Sequence, residues 1–279
     1  MSFGDRLVQA TRARGALCVG IDPHPTLLER WGLPDSAAGL RAFCSIAVEA
    51  FAGTVAVLKP QSAFFERFGS AGIAVLESTI RQSREAGALV LLDVKRGDIG
   101  STAQAYADAY LDPASGLCAD AVTVSPYLGL GSITPFLETA QAHGGGVFVL
   151  AVTSNPDGRQ VQHARMPDGR TVAQAIIDGV AARNEGARPL GSVGLVVGAT
   201  TGGTGHDLSK VNGPVLAPGL GTQGATPDDL RVVFGDVNGL VLPSCSREIL
   251  AHGPSVEALR KAADGLLNEC RKVLKDPFL

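Results

Sequence analysis

Asp93, Lys95, Arg96 and Asp98 crowd into the stretch LLDVKRGDIGST at 91–102, directly behind the apolar run Leu89, Val90, Leu91 and Leu92. Charges that emerge from what reads as protein interior need partners, because burying an ion is expensive unless it is paired. Side chains two apart on a strand point the same way, so Asp93 and Lys95 share one face while Val94 turns to the other. Lys59 in VLKPQSAFFE and Asp22 in CVGIDPHP also follow short apolar runs. Together they would form an alternating Lys–Asp–Lys–Asp set that is nearly neutral. Such a set holds a protonated lysine rigidly beside a carboxylate, an arrangement suited to delivering a proton to a developing carbanion.

A second group combines the glycine-rich turn PGLGTQG at 218–224, which opens at Pro218, with Arg247 in LPSCSRE. Glycine-rich turns expose backbone N–H groups to anions, and an arginine adds bidentate, charge-assisted bonds. Phosphate is the expected ligand. Ser125 and Ser154 end two further apolar runs, and the long polar stretch 153–170 (TSNPDGRQVQHARMPDGR) is expected to be a binding loop. Arg96 should point away from Lys95, toward solvent or an interface. His24, His143, His163, His206 and His252 lack ligand spacing, so no metal site is expected. The segment GATTGGTGHD at 198–207 lacks the G-K-[ST] ending of a nucleotide loop and is expected to be a turn.

These residues need a scaffold, and the chain repeats one rhythm. Apolar, β-branched runs at 16–21, 54–58, 88–92, 119–124, 147–152, 193–198, 214–217 and 238–242 predict eight strands. Between them lie helical patterns, such as 36–51 with Leu40, Phe43, Ile46, Ala47 and Phe51 on one face, and 71–86 with Ile73, Leu76, Ile80 and Arg84. A last covering helix is expected at about 254–275. Nearly continuous apolar strands alternating with amphipathic helices imply a parallel sheet covered by helices. Eight such units point to a single-domain α/β fold, a (β/α)8 TIM barrel spanning 1–279. An open doubly wound sheet is the alternative, but GIDPHP replaces the G-x-G-x-x-G that would follow its first strand. In a barrel of this kind, active sites lie at the C-terminal ends of the strands, where Asp22, Lys59, Asp93, Lys95, Asp98, Ser125, Ser154, the 218–224 turn and Arg247 would fall.

Composition sets the outer bounds. With 45% hydrophobic and 18% charged residues the chain can build a core, and a net charge of −3 gives no reason to expect nucleic acid or an anionic membrane as partner. Neither a signal-peptide core nor a membrane-length apolar run is present in the sequence, so a cytoplasmic location is expected. The cysteines Cys18, Cys44, Cys118, Cys245 and Cys270 are odd in number and widely spaced, which predicts reduced, structural thiols.

The motifs also resemble a known family. DVKRGDIGSTAQAY is similar to the D-x-K-x-x-D-I-x-x-T signature of the orotidine 5′-phosphate decarboxylases. CVGIDPHP, VLKPQSAFFE, TSNP and PGLGTQG follow in that family's order, and the longer form of the family matches best. The resemblance spans 16 to about 250. It implies cofactor-independent conversion of orotidine 5′-phosphate to UMP and CO2, with Lys59, Asp93, Lys95 and Asp98 as the charged tetrad and Lys95 as proton donor to C6. It further implies a homodimer in which Asp98, Ile99 and Thr102 reach the neighbouring site. Asp22 and Lys59 would hold the ribose, Ser154 would read the pyrimidine, and Gln223 and Arg247 would hold the phosphate. Ser246 stands where many members place glycine. Two rivals remain open: a metal-dependent sugar-phosphate sibling, which would carry Glu in place of Lys59, and a non-catalytic phosphate-binding or scaffold barrel.

Overall fold

All eight apolar runs become strands: β1 (Cys18–Ile21), β2 (Val57–Pro60), β3 (Leu89–Arg96), β4 (Ala121–Val124), β5 (Gly146–Val152), β6 (Val193–Val197), β7 (Gly213–Pro218) and β8 (Gly239–Cys245). The computed structural model of the chain describes residues 1–199, 205–221 and 224–274. The strands pair in parallel in sequence order, and β1 pairs with β8 through Cys18↔Ser244 and Val19↔Cys245 to close the barrel.

The first helix precedes β1, the others wrap the outside, and among the described residues every strand but β6 is followed by at least one helix. The first half of the chain carries α1 (Phe3–Arg14), α2 (Pro25–Arg30), α3 (Ala37–Phe51), α4 (Ala63–Glu66), α5 (Gly69–Glu85) and α6 (Gly100–Leu111). The second half carries α7 (Thr134–His143), α8 (Arg159–Gln162), α9 (Val172–Arg183), α10 (Pro227–Phe234), α11 (Arg247–Leu250) and α12 (Val256–Val273). The helix α3 starts where the Ser36 side chain accepts the Gly39 N–H, and it buries Leu40, Phe43, Ala47 and Phe51 as its pattern predicts. The α5 stripe is rotated from the expected one: Gly72, Val75, Leu76, Thr79, Ile80 and Ser83 are buried, while Arg84 turns outward toward Asp120 and the Cys118 carbonyl. Gly72 sets this rotation, since a Cβ there would lie 2.0 Å from the Phe65 carbonyl oxygen.

Strand alternation divides the apolar residues into two cores. Val90, Leu92 and Val94 of β3 join the large cluster between sheet and helices, whereas Leu89 and Leu91 point inward with Cys18, Val57, Ala121, Phe148, Leu216, Leu240 and Leu242. The inner cluster fills the lower half of the barrel and leaves the upper half to polar side chains. Its floor is α1, for which the sequence offers no expected element because charged residues flank its few apolar ones. Ser2 and Asp5 form a capping box at its start, and Phe3, Leu7 and Val8 plug the open end, with the Phe3 ring edge-on to Phe148 at 5.9 Å.

Replacing Leu7, which is fully buried, by Ala should destabilise the chain by about 2–5 kcal/mol through the cavity it leaves. Urea unfolding checks this as a lowered midpoint with an unchanged slope.

Candidate active site

The inward alternation that builds the lower core also builds the site above it. Lys59 follows Val57 by two residues, Asp93 follows Leu91, Thr123 follows Ala121, and Ser244 follows Leu242. They line one cavity of about 450 Å³ at the C-terminal ends of the strands, within the usual size for a small-molecule site. Asp22, Lys95, Ser154, Pro218 and Arg247 line it too, so most of the residues singled out in the sequence converge there.

Asp93 is the hub. Its carboxylate accepts from Lys95 Nζ at 2.7 Å through both oxygens, from Lys59 Nζ at 3.3 Å and from Thr123 Oγ1 at 2.8 Å. Lys59 Nζ also pairs with Asp22 Oδ1 at 3.9 Å. Asp22, Lys59 and Asp93 are all under 9% exposed, whereas the Lys95 side chain is 46% exposed and reaches into the cavity. Burial alone would raise the Asp93 pKa, but the charges of Lys59 and Lys95 with their hydrogen bonds outweigh it and hold the carboxyl down at about 2. Burial likewise opposes the charge on Lys59, yet Asp22 and Asp93 prevail and push its pKa above the ordinary lysine range.

Several expectations need correction. The third strand runs through Arg96 rather than ending at Leu92, so Asp93 and Lys95 belong to the strand itself. Four steps along β3, Leu92 to Arg96, are matched by only two along β4, Val122 to Val124, and within this bulge Lys95 has a φ of +47°. Arg96 is not left to solvent: it pairs with Glu66 at 2.6 Å and lies 5.6 Å from the Tyr106 ring. Ser125 does not line the cavity, and Thr123, two residues earlier, takes that place. Gln223 lies outside the described residues, as does most of the glycine-rich part of 198–207. Asp98, Ile99 and Thr102 lie outside this chain's own cavity; Asp98 Oδ1 accepts the Ile99 N–H at 2.8 Å, and Ile99 is 62% exposed.

The 153–170 segment contributes its near end, Thr153, Ser154 and Asn155, to the cavity. The rest folds over α8 into a small turn closed by the Arg165↔Thr171 bridge. Gln162 ties the segment back by accepting the Thr153 N–H at 3.0 Å and donating to its hydroxyl at 2.7 Å.

Other lining residues carried no signal in sequence. His24, one of the scattered loop histidines, lines the cavity with its ring 4.2 Å from that of Phe64, and burial shifts its pKa downward. Gln61 reaches the wall because its backbone bridges to Asp93. Two buried oxygens, Asp22 Oδ1 and Ser246 Oγ, have no hydrogen-bond partner among the described residues, which fits a wall built to meet a hydroxylated or anionic ligand. The five cysteines are free and buried, and burial pushes the Cys18 thiol to about 12.

The depressed pKa of Asp93 links the site to stability. A carboxyl at about 2 in the fold and 3.8 when unpaired stabilises the fold fully above the higher value and loses that contribution as pH falls through the lower. Stability should therefore drop between about pH 4 and pH 2, with a shallower drop in Asp93→Asn, as read from urea midpoints across that range.

Comparison with known proteins supports the same view. The profile of the family described as orotidine 5′-phosphate decarboxylase / HUMPS matches residues 15–262. A protein from Salinispora tropica named orotidine 5′-phosphate decarboxylase is 68% identical over 273 residues, 98% of both chains. One of the same name from Streptomyces coelicolor is 57% identical over 270 residues, 96% of this chain and 97% of its own. Among solved structures, one from Streptomyces avermitilis provisionally assigned that activity superposes with a TM-score of 0.94 at 57% identity, covering 98% of this chain and 95% of its own. OMP decarboxylase from Leishmania donovani gives 0.74 at 33% identity, with 98% of both chains covered. The profile match, the high identities and the charged strand ends agree, and this chain belongs to the orotidine 5′-phosphate decarboxylase / HUMPS family.

Proposed function

We propose that this chain is a carboxy-lyase that converts orotidine 5′-phosphate to UMP and CO2, acting as one barrel domain without a cofactor. The observation that carries this is the Lys59–Asp93–Lys95 cluster, which presents a partly exposed ammonium anchored to a buried carboxylate in the cavity. Loss of CO2 from the pyrimidine breaks the C6–carboxyl bond and leaves its electron pair on C6. The Lys95 ammonium stabilises that pair as it forms and then gives it a proton, with Asp93 holding the ammonium in line.

Remaining parts of the substrate meet remaining parts of the wall. Asp22 and Lys59 bind the ribose hydroxyls, Ser154 reads the pyrimidine edge, and Arg247 with the turn at Pro218 and Gln223 takes the phosphate. Phosphate binding far from C6 draws the 153–170 segment over the cavity, so that remote contacts contribute to the chemical step. Asp98, Ile99 and Thr102 serve the site of a second copy, completing the tetrad in a homodimer; their position outside this chain's cavity and the exposure of Ile99 support that role. The profile also covers sugar-phosphate relatives, but a metal held at the end of β2 would compete with Lys59, whose ammonium lies between Asp22 and Asp93.

The deciding measurement is the loss of orotidine 5′-phosphate absorbance with and without EDTA. Conversion should be EDTA-insensitive and should vanish in Lys95→Ala; a requirement for added Mg²⁺ would favour the sugar-phosphate reading instead. Arg247→Ala should lower kcat/KM by about two to three orders of magnitude, the scale of lost charge-assisted bonds, and an unchanged value would remove Arg247 from the site. Coexpressed Lys95→Ala and Asp98→Ala chains should regain activity that neither has alone, because a mixed dimer holds one intact site.

A further inference from the structure

Thr123 has no residue type or spacing that marks it for chemistry, yet it touches the charged cluster twice. Its hydroxyl donates to Asp93 Oδ1 at 2.8 Å and accepts the Lys95 backbone N–H at 3.0 Å. The direction of both bonds is set, because an ionised carboxylate only accepts and a backbone N–H only donates. The residue is 1% exposed, so water does not replace either bond.

Position adds to this. Thr123 sits opposite the bulge where the β3–β4 ladder passes from Leu92↔Val122 to Arg96↔Val124. Lys95 there adopts the left-handed φ of +47°, which a residue with a side chain keeps only when its surroundings hold it. The Thr123 hydroxyl holds the backbone of Lys95 and the carboxylate that steers its ammonium through a single atom. Movement at either would be passed to the other.

We propose that Thr123 is a positioning residue for proton delivery by Lys95, an inference that rests on the decarboxylase reading. A Val at this place keeps the branched shape and removes both bonds. Asp93 then retains Lys59 and Lys95 as partners, so the ion cluster survives, but the Lys95 bulge loses its tether. Proton delivery matters in the transition state, whereas ground-state binding is made by other walls of the cavity. The loss should therefore fall on kcat and not on binding.

The test compares wild type with Thr123→Val, Thr123→Ala and Thr123→Ser, measuring kcat, KM, the Kd of UMP and the thermal midpoint. The Val and Ala variants should lose roughly ten- to a hundredfold in kcat, the scale of a hydrogen bond to a charged group, while KM and the Kd of UMP hold within about twofold. Thr123→Ser, which restores the hydroxyl, should recover most of kcat. Val and Ala variants with wild-type kcat would overturn the proposal, as would equal losses in kcat and UMP affinity. Failure of both to fold while Thr123→Ser folds would place the hydroxyl in stability and overturn the positioning role. A wild type without turnover would overturn the decarboxylase reading itself, and this inference with it.

Discussion

A buried carboxylate between two ammonium groups is the constraint on which the rest depends. Asp93, 8% exposed, is tolerable in the barrel only because Lys59 and Lys95 hold it at 3.3 and 2.7 Å. Removing either partner would leave an uncompensated charge in a poorly solvated place. The same pairing keeps the Asp93 carboxyl ionised and the Lys59 ammonium charged, so the arrangement that makes the cluster bearable also makes it chemically useful. Asp22 extends it through Oδ1, 3.9 Å from Lys59 Nζ, and among the described residues that oxygen has no hydrogen-bond donor closer.

The scaffold answers this constraint by dividing the barrel along its axis. Below, Phe148, Leu89, Leu91 and Leu216 fill the interior and α1 closes it, which excludes water from beneath the ions. Above, the next inward positions on β2, β3, β4 and β8 are Lys59, Asp93, Thr123 and Ser244. Charges standing on a dry apolar floor interact more strongly than they would in water. Close strand packing around the ions keeps their distances short, since a core at crystal-like density leaves side chains little room to wander.

Local irregularity then sharpens what the regular fold provides. The bulge in β3 shifts the register of Lys95 against β4, and a threonine on the neighbouring strand takes the place of a simple ladder contact. Bulges beside functional sites commonly re-aim a side chain, and here the re-aimed residue is the one whose ammonium faces the cavity. The wall opposite comes from β8 and α11, where Ser246 and Arg247 turn in just beyond the last paired strand.

The eight apolar runs and the charges at their ends were legible in the sequence because both follow from periods that a strand imposes locally. Val57 and Lys59, or Leu91 and Asp93, must share a face whatever surrounds them. Alternation also placed Val94 against the helix layer, where it is found. What could not be read required knowing which strand lies beside which, and at what register. Thr123 matters, and Ser125 does not, only because the β3–β4 ladder slips by two residues at Lys95. The helix α1 is needed only because an open barrel end exposes Phe148 and its neighbours, and His24 lines the cavity beside the Phe64 ring, a contact between two different strand ends. The sequence by itself thus determined the fold class and which side chains along a strand share a face, since periodicity is a property of the chain alone. The tertiary structure decided which of those side chains meet, because contacts between strands depend on register, bulges and the pieces that close the ends.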